Sequence, residues 1–275
     1  MNKIRLDVLL YRRKLTESRE KASALIMSGS VFVNGEKTIK PGTQVLEDCE
    51  IEITASLQYV SRGGLKLKKA LDFFNISPMG RVCIDCGAST GGFTDCLLQS
   101  GAEIVYAVDV GYGQLAYKIR SDPRVVVMER TNIRHVTADM FEKRPEFSVA
   151  DVSFISLKLV LPVLGSIMDK DSLAICLVKP QFEAGREKVG KKGVVRDIKT
   201  HKEVLDMFCK NASDSGFGVM GLTFSPIKGP EGNIEYLGYL RYNEISESIN
   251  TMHIVLQAQE NFETNENITM PEHGA

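Results

Sequence analysis

The run Asp85-Cys86-Gly87-Ala88-Ser89-Thr90-Gly91-Gly92-Phe93 follows an apolar strand pattern, Val82 to Asp85, and opens a helical one, Thr94 to Gln99. Glycines let a backbone approach a ligand closely, and a helix N-terminus presents unpaired N–H groups to it. The next strand, Ile104 to Asp109, ends on an acid about 22 residues beyond Gly87, where a carboxylate can accept both hydroxyls of a ribose. Loop and acid together predict a bound adenosine group. The spacing is not G-x-G-x-x-G, because Ala88-Ser89-Thr90 separates Gly87 from Gly91, and Asp85 would repel a pyrophosphate while suiting an ammonium. S-adenosyl-L-methionine is therefore favoured over a nicotinamide dinucleotide.

Working outward, strands are expected at Val125 to Met128, Phe147 to Asp151, Leu173 to Val178, Gly218 to Phe224 and Tyr236 to Arg241. Helical patterns lie at Leu65 to Phe74, Gln114 to Ile119, Leu157 to Met168 and Thr200 to Asp214. Alternation of this kind predicts an α/β, Rossmann-like domain with a mixed, mostly parallel seven-stranded sheet. The last two strands, joined by a Pro- and Gly-rich connection without a helix, should close it as an antiparallel hairpin. Upstream lies a small α+β domain. Leu6, Leu9 and Leu10 mark one helix, and Ala22, Leu25 and Ile26 a second that Gly29 stops. Val31-Phe32-Val33 runs into an Asn34-Gly35 turn, with Val45 and Ile51 to Ile53 as returning strands. The expected division is a small domain over 1–58, a linker over 59–64, the α/β domain over 65–245, and a C-terminal helix and tail over 246–275, frayed from Glu263 onward.

The net charge of -1 hides an asymmetry. Residues 1–40 hold nine Lys and Arg (Lys3, Arg5, Arg12, Arg13, Lys14, Arg19, Lys21, Lys37, Lys40) against four acids (Asp7, Glu17, Glu20, Glu36). A basic N-terminal face suits RNA phosphates. The Gly-rich segment around Arg186, Lys191 and Lys192 reads as a mobile loop able to clamp RNA, and Arg62 lies in the linker. No apolar run is long enough for a membrane span, since Leu157 to Met168 is short and cut by Pro162. Charges interleave through the first residues, so no signal peptide is expected, and six scattered cysteines suit reduced thiols in a cytoplasmic protein. Cys83-x-x-Cys86 lies within a strand, where positions three apart face opposite ways, and no second pair follows, so no metal is expected.

Charged residues cluster at the strand ends on the side of the glycine loop, where open parallel sheets bind ligands. Asp151 ends the fourth strand, Lys179 the fifth just before Pro180, and Glu235 begins the antiparallel last strand. Lys66 follows Gly63-Gly64.

These residues resemble a known family. Arg5-Leu6-Asp7, Ser18-Arg19-Glu20-Lys21-Ala22 and Val33-Asn34-Gly35 are similar to the alpha-L RNA-binding fold. Ser61 to Leu67, the Asp85 to Phe93 loop, Asp151-Val152-Ser153-Phe154-Ile155-Ser156-Leu157, Val178-Lys179-Pro180-Gln181-Phe182-Glu183 and Gly229 to Tyr236 resemble the TlyA family of FtsJ-like, class I methyltransferases. The resemblance implies 2'-O-methylation of a ribose, cytidine being the expected nucleoside, in ribosomal RNA or ribosomal subunits. It also implies a catalytic set of Lys66, Asp151, Lys179 and Glu235, with Asn132 and Ile133 beside the adenine; Asn132 departs from the acid common at that place. Lys179 is expected nearest the 2'-hydroxyl, as a base or as a cation that stabilises developing oxyanion. Two other readings stand beside this one: an idle fold that only binds ribosomal RNA, and, because the family is often labelled haemolysin, a membrane-lytic protein whose sole support is the weak pattern Ile249, Met252, Leu256.

Overall fold

The computed structural model describes residues 3–27, 29–53 and 58–268, and the chain forms two compact units, Met1–Gly64 and Leu65–Ala275. The first unit holds β1 (Lys3–Arg5), α1 (Leu6–Arg12), α2 (Arg19–Met27), β2 (Val31–Val33), β3 (Glu36–Thr38), β4 (Gln44–Leu46) and β5 (Ile51–Ile53). Leu6, Leu9 and Leu10 of α1 meet Ala22, Leu25 and Ile26 of α2 in a core shared with Val31 and Val45. Asn34 and Gly35 both take positive φ, +49° and +79°, and turn β2 tightly into β3. One pairing differs from expectation. The Val45 strand does not return to the hairpin, which pairs with β5; it pairs with β1, Ile4 opposite Val45. Lys3-Ile4-Arg5 is a strand too short to show its period, and its pairing with β4 reveals it.

The second unit opens within α3 (Gly63–Phe73), which begins two residues earlier than expected, inside the anticipated linker. Its strands are β6 (Val82–Cys86), β7 (Ile104–Val108), β8 (Val125–Met128), β9 (Phe147–Ala150), β10 (Leu173–Val178), β11 (Phe217–Phe224) and β12 (Tyr236–Tyr242). Between them run α4 (Gly92–Gln99), α5 (Tyr117–Arg120), α6 (Leu161–Ile167), α7 (Pro180–Glu183) and α8 (Ile198–Asp214), with α9 (Thr251–Ile268) at the end. The sheet order is β11-β12-β10-β9-β6-β7-β8, with β12 antiparallel to both neighbours, as the closing hairpin predicts. Consecutive residues of β12 point to opposite faces: a side chain at Gly238 would meet Phe208 of α8, while Tyr239 stacks 5.4 Å from Phe74 beyond α3. Helices therefore cover both faces.

Two helices are shorter than their patterns. Gln114 to Ala116 stay outside α5, beside a positive φ at Gly113, and the Leu157 to Met168 pattern breaks into a 3-10 turn, Leu157–Leu159, and α6. Pro162 has no N–H and is tolerated only in a first turn, so α6 starts afresh there. The C-terminal helix is longer. Val255, Ala258 and Phe262 bury against the main core, and α9 continues past Glu263 to Ile268 where fraying was expected; the expected tail over 269–275 lies outside the described residues.

Candidate active site

β6 delivers Asp85 into the protein interior, where it is 0% exposed. Thr94 on α4 donates to its Oδ2 at 2.6 Å, while Oδ1 has no partner among the described residues. Burial pushes this carboxyl up to about 7, partly offset by the Thr94 bond, with the charges of Asp151 and Asp109 adding to the rise. A buried carboxyl oxygen without a partner calls for an explanation, and a hydrogen-bond donor from a ligand is one. Beyond it the backbone bends at Gly87, φ +88°, where any Cβ would lie 2.6 Å from the carbonyl oxygen of Asp151. Only glycine lets these two strand ends approach so closely. Gly91 is similarly constrained, φ +94°, with Leu115 2.9 Å from an added Cβ.

A cleft of about 630 Å³ opens over this loop, lined by Gly87, Ser89, Asp109, Asn132, Ile133 and Asp151 among others. Asp109 accepts from the Ser89 and Gly111 amides, at 2.8 and 2.7 Å, which fixes its carboxylate while leaving lone pairs for hydroxyl donors. Asn132 accepts from the Arg134 amide at 3.1 Å and caps the short turn that buries Ile133. The expected adenosine side thus converges on one cleft; Ala88, Thr90, Gly92 and Phe93 shape the loop without lining it.

The four charged residues come together as two pairs. Lys66 Nζ donates to Glu235 Oε2 at 2.5 Å, with side chains 9% and 1% exposed. Lys179 Nζ lies 2.5 Å from Asp151 Oδ1 and donates to Ser153 Oγ at 2.9 Å. The sheet explains the gathering. Val178 pairs with Tyr236, so Lys179, which follows Val178, and Glu235, which precedes Tyr236 in the antiparallel strand, reach the same edge. Ala150, paired with both Cys86 and Cys176, brings Asp151 to that edge as well. Glu183 then ties the turn after Lys179 to the loop after Asp151, accepting from Ser156 Oγ at 2.6 Å and the Leu157 amide at 2.8 Å. Burial pushes the Glu183 carboxyl up. Among the described residues no group of His, Cys, Asp and Glu is arranged to hold a metal ion.

Residues 59–242 match the model of the FtsJ-like methyltransferase family, and residues 4–51 that of the S4 domain. The chain belongs to the FtsJ-like methyltransferase family. It is 54% identical over 242 residues to the "Putative rRNA methyltransferase YqxC" of Bacillus subtilis, covering 87% of this chain and 86% of that one. It is 45% identical over 239 residues to the "16S/23S rRNA (cytidine-2'-O)-methyltransferase TlyA" of Mycobacterium tuberculosis, covering 86% and 89%. Among solved structures, the "Putative hemolysin from Streptococcus thermophilus" is 47% identical with a TM-score of 0.78, over 97% of this chain and 99% of that chain. Among the described residues no helix is long and apolar enough to cross a membrane.

Within this FtsJ-like methyltransferase, the basic residues singled out in the S4 domain are partly committed. Arg5 and Arg19 both bind the buried Asp7, at 3.0 and 3.1 Å, and hold its carboxyl down at about 2, Arg5 most strongly. Arg13 donates to the carbonyl of Cys49 at 2.8 Å and so ties α1 to the turn before β5; Arg12 pairs with Glu47 and Lys21 with Glu17. Lys3 and Lys14 are exposed and make no ion pair among the described residues, and Arg62 is exposed. The Gly-rich segment of the methyltransferase domain is tied down rather than slack: Gly193 donates to Gly190, Gly190 to Val194, and Val195 is buried.

Several residues of the site escaped the sequence reading. Ser153 and Thr94 hold the lysine and the carboxylate, and neither hydroxyl carries a spacing signal. Phe154 is 91% exposed at φ +63°, with its ring 5.0 Å from Phe182, on the rim of the cleft. A bulky residue held in left-handed backbone and denied burial was a legible oddity only once the loop was folded.

Proposed function

We propose that this chain transfers a methyl group from S-adenosyl-L-methionine to a ribose 2'-hydroxyl of ribosomal RNA in the cytoplasm, the acceptor being cytidine. The carrying observation is the Lys179–Asp151 pair, whose Asp151 lines the same cleft as Asp109, with the buried Asp85 carboxyl two residues before Gly87 of that lining. The residues fit the cofactor: the orphaned oxygen of Asp85 takes its ammonium, Asp109 its ribose hydroxyls, and Asn132 with Ile133 its adenine. When bound, the cofactor supplies an already activated methyl, so the protein has only to align an acceptor and manage one proton.

Lys179, ion-paired to Asp151 and braced by Ser153, meets the acceptor as a cation. It orients the hydroxyl oxygen and stabilises the negative charge that grows on it as the hydroxyl proton passes to water. The buried Lys66–Glu235 pair lies at the neighbouring strand end and keeps that corner polar and rigid. The S4 domain holds the structured RNA through its exposed basic face, with Lys3, Arg5, Arg12, Arg13, Lys14, Arg19 and Lys21 on it and Arg62 following. Incubation of purified protein with ribosomal subunits and tritiated cofactor, followed by mass-spectrometric mapping of the RNA, tests this. Ribose methylation at defined cytidines is expected; absence of label from all RNA would leave a binding protein.

A further inference from the structure

The segment 185–196, between α7 and α8, carries Arg186, Lys191, Lys192 and Arg196, all exposed and none in an ion pair among the described residues. Its last stretch is fastened in an unusual way. Val195 gives its N–H to Asn233 Oδ1 at 3.0 Å, and Asn233 Nδ2 donates back to the carbonyl of Gly193 at 2.8 Å. The carbonyl of Val195 faces His201 Nε2 at 3.0 Å, and His201 Nδ1 faces the Tyr236 hydroxyl at 2.8 Å. A carbonyl can only accept, so Nε2 carries the proton and Tyr236 donates to Nδ1. Both backbone polar groups of Val195 are thereby held by side chains. Those side chains lead to Asn233 and Tyr236, the residues on either side of Ile234-Glu235. Asn233 and His201 are each 1% exposed, and Tyr236 0%.

A buried amide and a buried imidazole need partners, and here the amide binds the strap while the imidazole links the strap to Tyr236 at the start of β12. We propose that Asn233 and His201 are positioning residues that mount the basic strap on the leading edge of β12, holding Lys191 and Lys192 against the RNA backbone beside the acceptor site. The inference rests on RNA being the substrate. It goes beyond that reading in assigning the mount, the strap and their coupling.

The test uses the full-length protein as Asn233→Ala, Tyr236→Phe and the double variant Lys191→Ala/Lys192→Ala. Tryptic cleavage after Lys191 and Lys192 reports release of the strap, and steady-state methylation of ribosomal subunits reports its use. Asn233→Ala and Tyr236→Phe should be cut at least tenfold faster. Asn233→Ala should raise KM for RNA about tenfold with kcat within threefold and cofactor affinity unchanged. The lysine double variant should raise KM alike, and adding Asn233→Ala to it should raise KM no further, because coupled sites are non-additive. Unchanged cleavage in both clamp variants overturns the mount. Faster cleavage with unchanged KM, or fully additive effects, overturns the role of the strap in RNA binding. If Asn233→Ala fails to fold, Tyr236→Phe, which removes a single oxygen, carries both readouts. The cleavage arm needs no methylation, so failure of the mount is distinguishable from failure of the RNA reading.

Discussion

Lys66 on α3 and Glu235 before β12 lie 169 positions apart in the chain and form a 2.5 Å ion pair almost withdrawn from solvent. Removing one partner of such a pair leaves an uncompensated buried charge and costs about 3–5 kcal/mol, whereas an apolar replacement of both is often neutral. Glu235→Ala should therefore be strongly destabilised in chemical denaturation, and Lys66→Met/Glu235→Leu should recover most of the stability. Methyl transfer should not return with it. A stable double variant with full turnover would make the pair structural only.

Lys179 is held from two sides, by Asp151 and Ser153, and pairs with no other anion among the described residues. Lys179→Ala should lower kcat by at least about 10²–10³, the usual loss for one preorganised charge-stabilising donor. Cofactor affinity, measured by calorimetry, should stay within a few-fold, since Lys179 does not line the cleft. Ser153→Ala should cost less, because the ion pair persists. Normal turnover by the Lys179 variant would remove it from the chemistry.

The carboxyl of Asp85, raised by burial to about 7 against an ordinary 3.8, gives a pH dependence of known sign. Between those values the folded state keeps a proton that the unfolded chain releases, so stability of the cofactor-free protein falls as pH rises through this window and levels off above about 7. An ammonium binds the ionised form. Cofactor affinity should accordingly weaken as pH falls below about 7, by roughly tenfold per unit, with proton release on binding. Asp85→Asn should bind weakly at every pH. A flat affinity profile from pH 5.5 to 8 for the parent protein would exclude Asp85 as the ammonium partner.

Much of the candidate site could be read from the sequence because strand ends are marked by chemistry: apolar runs stop at or near Asp85, Asp151 and Lys179, and those stops share one edge of the parallel part of the sheet. The partners could not be read. Which lysine meets which acid depends on a register between β10 and β12 that only the folded hairpin sets. β1 was hidden for a related reason, since three residues carry too little periodicity to separate strand from coil. The early stop of the Leu157 pattern was visible in Pro162, but the 3-10 turn before it follows from Ser156 and Glu183, which are 27 residues apart.

In the S4 domain the structure separates two kinds of basic residue. Lys14 is exposed at φ +57° and unpaired among the described residues, whereas Arg13 ties its helix to Cys49. Lys14→Glu should weaken RNA binding across sequences and reduce the slope of log affinity against log salt by about 1, with thermal stability retained. Arg13→Glu should lower stability as well. Equal salt slopes for the parent and Lys14→Glu would take this turn off the RNA surface.

Phe154 combines three properties that folding alone does not favour: a ring 91% exposed, a left-handed backbone at φ +63°, and a neighbouring aromatic, Phe182, 5.0 Å away. Left-handed backbone costs a non-glycine residue about 1–2 kcal/mol. An acceptor ribose inside folded RNA has to be presented to the cleft with its base unstacked, and an exposed ring on the rim can replace the lost stacking. Base–aromatic stacking contributes about 1–3 kcal/mol, which corresponds to a five- to 150-fold effect. Phe154→Ala should lower kcat/KM for ribosomal RNA within that range while cofactor affinity and fold are unchanged. Phe154→Gly should go further in one respect: it relieves the backbone strain, so its melting temperature should equal or exceed that of the parent even as methylation falls. Tryptophan at this position should retain activity. A Phe154→Gly protein that is both less stable and fully active would show that the ring serves packing instead of the substrate.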